Sequence, residues 1–201
     1  MKPNAIAAPV FQHCCNWAPG RDRAGRSPSG IRADTLARME RHFTVSGFVV
    51  DGDRTALHWH KRLGLWLPPG GHIERDEDPV EAVLREVLEE TGIPCEVVPH
   101  QMPYVFTNVG QLPPPLSIIV ADVADGPHQH IDLAYAVRPI AGAARIDPEE
   151  DHGFIWVNEA ELRAGRSPQV EACASGPLAG DVRVVALEAI RIVRSASGRL
   201  A

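Results

Sequence analysis

From Met39 onward, hydrophobic and polar positions alternate in blocks that predict a defined order of elements. HFTVSGFVV and ALHWH are rich in β-branched and aromatic residues and are separated by DGDRT, a short Asp-Gly turn, so the pair reads as a β-hairpin. Between residues 79 and 91 the period changes to that of a helix. Val80, Val83, Leu84, Val87 and Leu88 fall on one stripe at 100° per residue. Asp78 is a strong N-cap, Pro79 suits the first helical position, Glu81 is the capping-box acid, and Gly92 followed by Pro94 stops the helix. Further strands are expected at residues 96–98, 116–123, 131–138 and 154–157, with turn-forming QLPPP and ADGP between them. Asn158 caps a short helix through Leu162. Asp181 is the expected cap of a final helix whose stripe is Val182, Val185, Ala186, Ala189, Ile190 and Val193. Strands with few helices and no βαβ rhythm predict an α+β fold, a mixed sheet covered by helices.

Composition adds limits to that picture. The chain has 201 residues, 44% hydrophobic and 23% charged, which suits one soluble globular domain with some excess length. No apolar run approaches the roughly 18 to 20 residues of a membrane span. The short stretch from Ala5 to Phe11 is broken by Pro9, so neither a span nor a signal peptide is expected. Cys14, Cys15, Cys95 and Cys173 form no CxxC pair, so a disulfide scaffold or zinc ribbon is not indicated and a reducing cytoplasm is the expected location.

Charge is unevenly distributed. Residues 1–38 hold six basic groups against Asp22 and Asp34, whereas the other residues hold fourteen basic and twenty-four acidic ones. The first segment lacks periodicity and includes RDRAGRSPSG, the composition of a disordered basic arm. The acidic remainder disfavours duplex nucleic acid, and an anionic ligand would need a metal escort. The expected organisation is therefore an arm over 1–38, a domain over 39–166, and a linker with a C-terminal helix packing on that domain over 167–201.

Glu86, Glu89 and Glu90 crowd within one helical turn, near the helix C-terminus where the macrodipole is also negative. A solvated acidic face and a cage for hard divalent cations are both compatible with this cluster. The wider spacing distinguishes them. In GHIERDEDPVEAVLREVLEETGI, Gly71 is followed after five residues by Glu77, and after seven more by Arg85, Glu86, Val87, Glu89, Glu90, Gly92 and Ile93. This pattern resembles the Nudix box at every fixed position. Trp66, Pro69 and Gly70 resemble the family's W-x-x-P-G-G approach, with Pro68 in place of the usual Leu or Phe. The box covers 23 residues, and the wider resemblance spans about residues 39–162.

The resemblance implies an α/β/α sandwich with a mixed β-sheet between helices, and hydrolysis of a nucleoside diphosphate linked to a moiety X. By the same resemblance Glu86, Glu89, Glu90 and the Gly70 carbonyl are the expected ligands of Mg²⁺ or Mn²⁺, Glu77 is a supporting acid, and Arg85 holds a glutamate in place. The general base varies within the family; Glu149 and Glu150 are candidates because they precede the strand at 154–157. For the substrate, His60, Lys61, Arg62 and His72 are candidate phosphate or substrate contacts. Trp66 is a candidate base-stacking aromatic beside Trp59, Tyr104 and Phe106. His58 and His60 share one strand face, compatible with a metal pair or with packing.

A complete box favours an enzyme over a binding or regulatory module, which typically loses box carboxylates. An isoprenoid isomerase would need further ligands and a catalytic cysteine that find no place here. The expected substrate is a small nucleotide-type molecule, a nucleoside di- or triphosphate including a damaged one such as oxidised dGTP; oligomeric state is not readable. A chain starting at Met39 is expected to fold and hydrolyse like the full chain, because no apolar face is lost with the arm. A clear fall in melting temperature or turnover of that shortened chain would overturn this boundary.

Overall fold

The computed structural model describes residues 40–61, 63–101, 104–123, 128–140, 154–165 and 178–198. The basic arm, Arg62, Glu149 and Glu150 lie outside these described residues. The first strand, β1 (Glu40–Asp51), buries Val45 and Val49 on one face and Phe48 and Val50 on the other, the pattern of a strand covered on both sides. Gly52, at φ 68°, allows the tight turn into β2 (Arg54–His60), and Val50 pairs with Thr55 and Asp51 with Arg54. The predicted hairpin is therefore present, although its two strands pair only at the turn end. Beyond it β1 takes other partners.

Two three-residue strands follow that the hydrophobic pattern does not predict. β3 (Leu65–Leu67) pairs with β2, and β4 (Gly70–His72) pairs antiparallel with β1 at Ser46, Val45 and Thr44. Segments of three residues, one containing two glycines, are too short to carry a period of two, so their strand state comes from tertiary pairing. Then come α1 (Pro79–Thr91), β5 (Cys95–Val97), β6 (Ser117–Asp122) and β7 (His128–Pro139). β7 runs parallel to β1 from Glu40↔His128 to Val49↔Val137, while β6 and β5 pair antiparallel with opposite ends of β7. β8 (Phe154–Asn158) pairs with β2 and leads into α2 (Glu159–Ala164); α3 (Gly180–Ser197) follows after the intervening residues. The sheet is mixed, as expected.

Two apolar clusters flank this sheet. On one side Val83 and Val87 of α1 pack on Val45, Val49, Tyr135 and Val137. On the other, Val182, Ala186, Ala189 and Ile190 of α3 meet Phe48, Val50, Ala134 and Ala136, with Leu57, Trp66 and Leu162 in the same cluster. The result is a sheet between helices. Among the described residues no helix is long and apolar enough to cross a membrane.

Several local expectations need adjustment. Leu88 is 48% exposed, and the buried face of α1 is instead Ala82, Val83, Val87 and Thr91. Thr91 belongs inward because its hydroxyl donates to the Val87 carbonyl at 2.6 Å and accepts the Ile93 N–H at 3.1 Å. α3 begins one residue before Asp181: Ala179 is the N-cap without a side-chain hydrogen bond, and Asp181 lies in the first turn, where its charge still suits the helix dipole. Asn158 does cap α2, its side chain accepting the Glu161 N–H at 2.9 Å while Glu161 accepts the Asn158 N–H at 2.9 Å. Cys95 is buried, and desolvation pushes its thiol up to about 12, so it acts as a small core residue.

The approach of α1 to the sheet depends on Gly47. A Cβ there would overlap Val87 Cγ2 and come within 3.1 Å of Val83 Cγ2. Gly47→Ala is therefore expected to destabilise the fold by about 1–3 kcal/mol, read as a lower urea midpoint at unchanged m-value. An unchanged midpoint would mean that α1 can lift from β1 at no cost.

Candidate active site

The helix that carries the acidic cluster is anchored at its start by its own sequence. Asp78 Oδ1 accepts the Val80 and Glu81 N–H groups at 2.8 and 3.0 Å, and Glu81 Oε2 accepts the Asp78 N–H at 2.9 Å, completing a capping box. Gly92, left-handed at φ 67°, returns its N–H to the Leu88 carbonyl and ends the helix. With both ends set and Val83 and Val87 buried, the face bearing Arg85, Glu86, Glu89 and Glu90 is turned towards β4 and the loop that follows it.

Arg85 is the centre of this face. Its Nε and Nη2 donate to the two oxygens of Glu77 at 2.6 and 2.9 Å, a bidentate pair. Nη1 donates to Glu86 at 2.9 Å and Glu89 at 3.3 Å, and Nη2 also donates to the His72 carbonyl at 3.1 Å. These contacts match the five N–H groups of a guanidinium, leaving it no spare donor. Glu77 in turn accepts the Glu74 N–H at 3.2 Å, which closes the loop between β4 and α1. The hydrogen bonds from Arg85 hold the Glu77 carboxyl below the usual carboxylate range, and those to Glu77 and Glu86 raise the guanidinium further above neutral pH.

Glu90 has a different environment. The Gly70 N–H donates to its Oε2 at 2.9 Å, and His58 Nδ1 lies 3.5 Å from the same oxygen. Desolvation pushes the Glu90 carboxyl up to about 6; the Gly70 N–H opposes this, and the Glu86 and Glu89 charges add to it. Burial lowers the pKa of His58, with His60 adding to the effect, which disfavours a charged partner for Glu90. His58 thus belongs to the site, although among the sequence features only its pairing with His60 draws attention to it.

Glycines complete the arrangement. The Glu86 carboxylate lies so close to Gly71 that a Cβ there would overlap it, and a Cβ on Gly70 would overlap the Val45 carbonyl. Glu86 and Glu90 therefore sit beside bare backbone and Glu89 beside Arg85, with Arg85 touching two of the three carboxylates and no cation paired to Glu90 among the described residues. Such a set of oxygen donors fits a hard divalent cation, which would offset the desolvation and, to a lesser extent, the carboxylate repulsion that raise Glu90.

The remaining candidates are scattered. Trp66 is 1% exposed within the α3-side core, its ring tilted on Trp59 at 5.4 Å between centroids; burial removes it as a surface for stacking a base. His60 Nδ1 accepts the Leu63 N–H at 3.2 Å, so this side chain shapes the turn between β2 and β3, with Lys61 exposed in the same turn. His72 is exposed at the end of β4, its ring 4.9 Å from that of His130. Tyr104 and Phe106 are exposed side by side at 6.1 Å.

The raised Glu90 carboxyl has a measurable consequence without metal. Its folded pKa, about 6, lies above the ordinary 4.5, so the folded state holds its proton more tightly and loses stability as pH rises through that window. Glu90→Gln is expected to remove this loss, gaining about 1 kcal/mol over the wild type at pH 7 in EDTA once partial exposure is allowed for, with little difference at pH 4. Urea unfolding of both proteins at the two pH values checks this, and identical pH dependence would refute it.

Comparison with known proteins places the chain in a family. The family model "NUDIX domain" matches residues 40–173. The chain is 32% identical over 110 residues to "m7GpppN-mRNA hydrolase NUDT17" of Danio rerio, covering 50% of this chain and 34% of that protein. It is 33% identical over 87 residues to "8-oxo-dGDP phosphatase NUDT18" of Homo sapiens, covering 42% of this chain and 25% of that one. The matches thus span about a third or less of the length of these two relatives. Among solved structures, a hydrolase of the NUDIX family from Clostridium perfringens superposes with a TM-score of 0.57 at 28% identity, over 77% of this chain and 99% of that one. With the box residues gathered around one arginine and the family model matching about two-thirds of its length, the chain belongs to the Nudix family.

Proposed function

We propose that the chain is a divalent-metal-dependent pyrophosphohydrolase acting on a nucleoside diphosphate-X compound, with a nucleoside di- or triphosphate as the preferred class. The observation that carries this reading is the placement of Glu86 and Glu90 beside the bare backbone of Gly71 and Gly70, with Glu89 on the same helical turn and Arg85 committed to Glu77, Glu86 and Glu89. Glu86, Glu89, Glu90 and the Gly70 carbonyl would hold Mg²⁺ or Mn²⁺. Bound there, such a cation would neutralise phosphoryl oxygens and lower the pKa of water.

The protein's own groups have distinct tasks in this scheme. Glu77 orients Arg85, and Arg85 fixes one oxygen of Glu86. As a water oxygen bonds to phosphorus, a carboxylate takes its proton and the bridging oxygen departs with the leaving phosphate. Glu86 is one candidate for that carboxylate, and Glu149 or Glu150 is another. His72 and Lys61 are proposed phosphate contacts, with Arg62 beside Lys61 in sequence. With Trp66 in the core, Tyr104 and Phe106 are the exposed aromatics suited to stacking a base. The two named relatives act on a capped mRNA and on 8-oxo-dGDP by their names, and both are nucleotide-type molecules.

The full chain incubated with Mg²⁺ or Mn²⁺ and a panel of nucleotides tests the reading. Release of nucleoside monophosphate and pyrophosphate from (d)NTPs, including oxidised dGTP, is expected. Glu89→Gln and Glu90→Gln are expected to lower kcat by at least about 100-fold, a loss near 3 kcal/mol, with the melting temperature unchanged or raised. Activity within about threefold of wild type, a change under 1 kcal/mol, would remove the metal role of that residue. Cleavage of ADP-ribose or dinucleoside polyphosphates with (d)NTPs untouched would replace the substrate class. Nucleotide binding without turnover of any panel member would favour the alternative, a non-hydrolytic binding or regulatory module.

A further inference from the structure

The face of the sheet opposite α1 carries a second group of metal-ligating side chains that the hydrolytic scheme does not use. In the parallel β1–β7 pair His42 stands opposite His130, and Glu40 opposite His128. Side chains two residues apart share a strand face, so His42, His128 and His130 project together. Phe48 and Val50, of the same parity as His42, pack in the α3-side cluster, whereas Val45 and Val49 pack with α1. The three histidines therefore project from the strand face opposite the one that packs on α1, and at the sheet end His42 and Glu77 line a common pocket.

One ring nitrogen from each of His42, His128 and His130 lies within 4.8 Å of the others, and all three residues are half-buried. Their ring centroids are 5.1 to 6.0 Å apart. We propose that His42, His128 and His130 form a binding site for a borderline divalent metal ion such as Zn²⁺, distinct in place and chemistry from the carboxylate site. Imidazole nitrogens bind Zn²⁺ at about 2.0–2.1 Å, and a tetrahedral set of such bonds spaces its ligand atoms about 3.4 Å apart. Binding would therefore draw the three nitrogens in from spacings of up to 4.8 Å. Neutral imidazoles favour Zn²⁺, Ni²⁺ or Cu²⁺ over Mg²⁺, which prefers carboxylate and water oxygens, so the two sites would sort different metals.

The surroundings suit such a site. Two paired strands hold the ligands on rigid backbone, and the register that brings them together extends without interruption to Val49↔Val137. Glu40 contacts His42 Nε2 at 3.1 Å, placing a carboxylate in the outer shell. The ring of His72 lies 4.9 Å from that of His130 and 5.4 Å from that of His42, so it borders the site, and the fourth position falls to solvent.

Calorimetric titration of the chelator-treated full chain with Zn²⁺, in excess Mg²⁺ to occupy the carboxylates, tests the proposal without reference to turnover. One equivalent of Zn²⁺ is expected to bind at micromolar affinity or tighter. Co²⁺ in its place is expected to give the strong visible absorption of a four-coordinate ion. The double variant His42→Ala/His130→Ala should lose at least 100-fold in Zn²⁺ affinity together with that absorption, and Glu86→Gln/Glu89→Gln should stay within threefold of wild type. If the double variant does not fold, His128→Gln, expected to cost at least tenfold, provides the same test. Absence of tight Zn²⁺ binding in the wild type, its survival in the histidine variants, or its loss in the carboxylate variant would overturn the proposal.

Discussion

Three carboxylates held on one turn of α1 repel each other, and much of the surrounding structure can be understood as a response to that repulsion. Arg85 touches two of them and is itself held by Glu77 through two hydrogen bonds of 2.6 and 2.9 Å. The loop between β4 and α1 is shaped to deliver Glu77 to this position, and the His72 carbonyl accepts one further Arg85 donor. β4 approaches as two glycines because any side chain there would meet either the Glu86 carboxylate or the β1 backbone. Loss of Arg85 would leave the cluster uncompensated and the loop without its anchor, so charge balance and loop geometry are not separable here.

The sheet supports this arrangement through one long-range pairing. β1 is held by β7 on one side and by β4 on the other, and Asp132 of β7 accepts the hydroxyls of Thr44 and Ser46 at 2.9 and 2.8 Å. Burial raises the Asp132 carboxyl above its ordinary range, with the two hydroxyl hydrogen bonds opposing the shift. Because β4 is only three residues long, its position is inherited from β1 and hence from β7. The glycines that receive the acidic face of α1 are thus located by contacts distant in sequence.

Features encoded within a few residues were legible before the structure. The capping box at Asp78 and Glu81, the stop at Gly92, the turn at Gly52 and the stripe of α3 all follow from local rules, and each appears at the expected residues. Features decided by pairing were not legible: β3 and β4 have no usable period, and the stripe of α1 does not reveal that Thr91 is buried while Leu88 stays exposed. At the site, the spacing from Gly71 to Ile93 identified the residues that meet around Arg85. It could not indicate that His58 would reach Glu90, nor that Trp66 would turn into the core, because both depend on which face of a strand meets which layer. The histidines at 42, 128 and 130 are related only by the β1–β7 register, which no local pattern reveals.

That same register also affects how the chain is made. Partners such as Thr44 and Asp132 are 88 positions apart, so β1 leaves the ribosome long before the strand that pairs with it. At about 5–20 residues per second the interval is about 4–18 s, during which one edge of β1 offers unpaired N–H and C=O groups beside Val45, Phe48, Val49 and Val50. A parallel pairing of such separation is slow to form even once both strands exist, since its loop-closure entropy must be met before any contact compensates it. The nascent chain therefore passes through a stage in which its most apolar strand is its least protected one. Its yield in a cell is expected to depend on synthesis speed and chaperone supply more than on the stability of the finished fold.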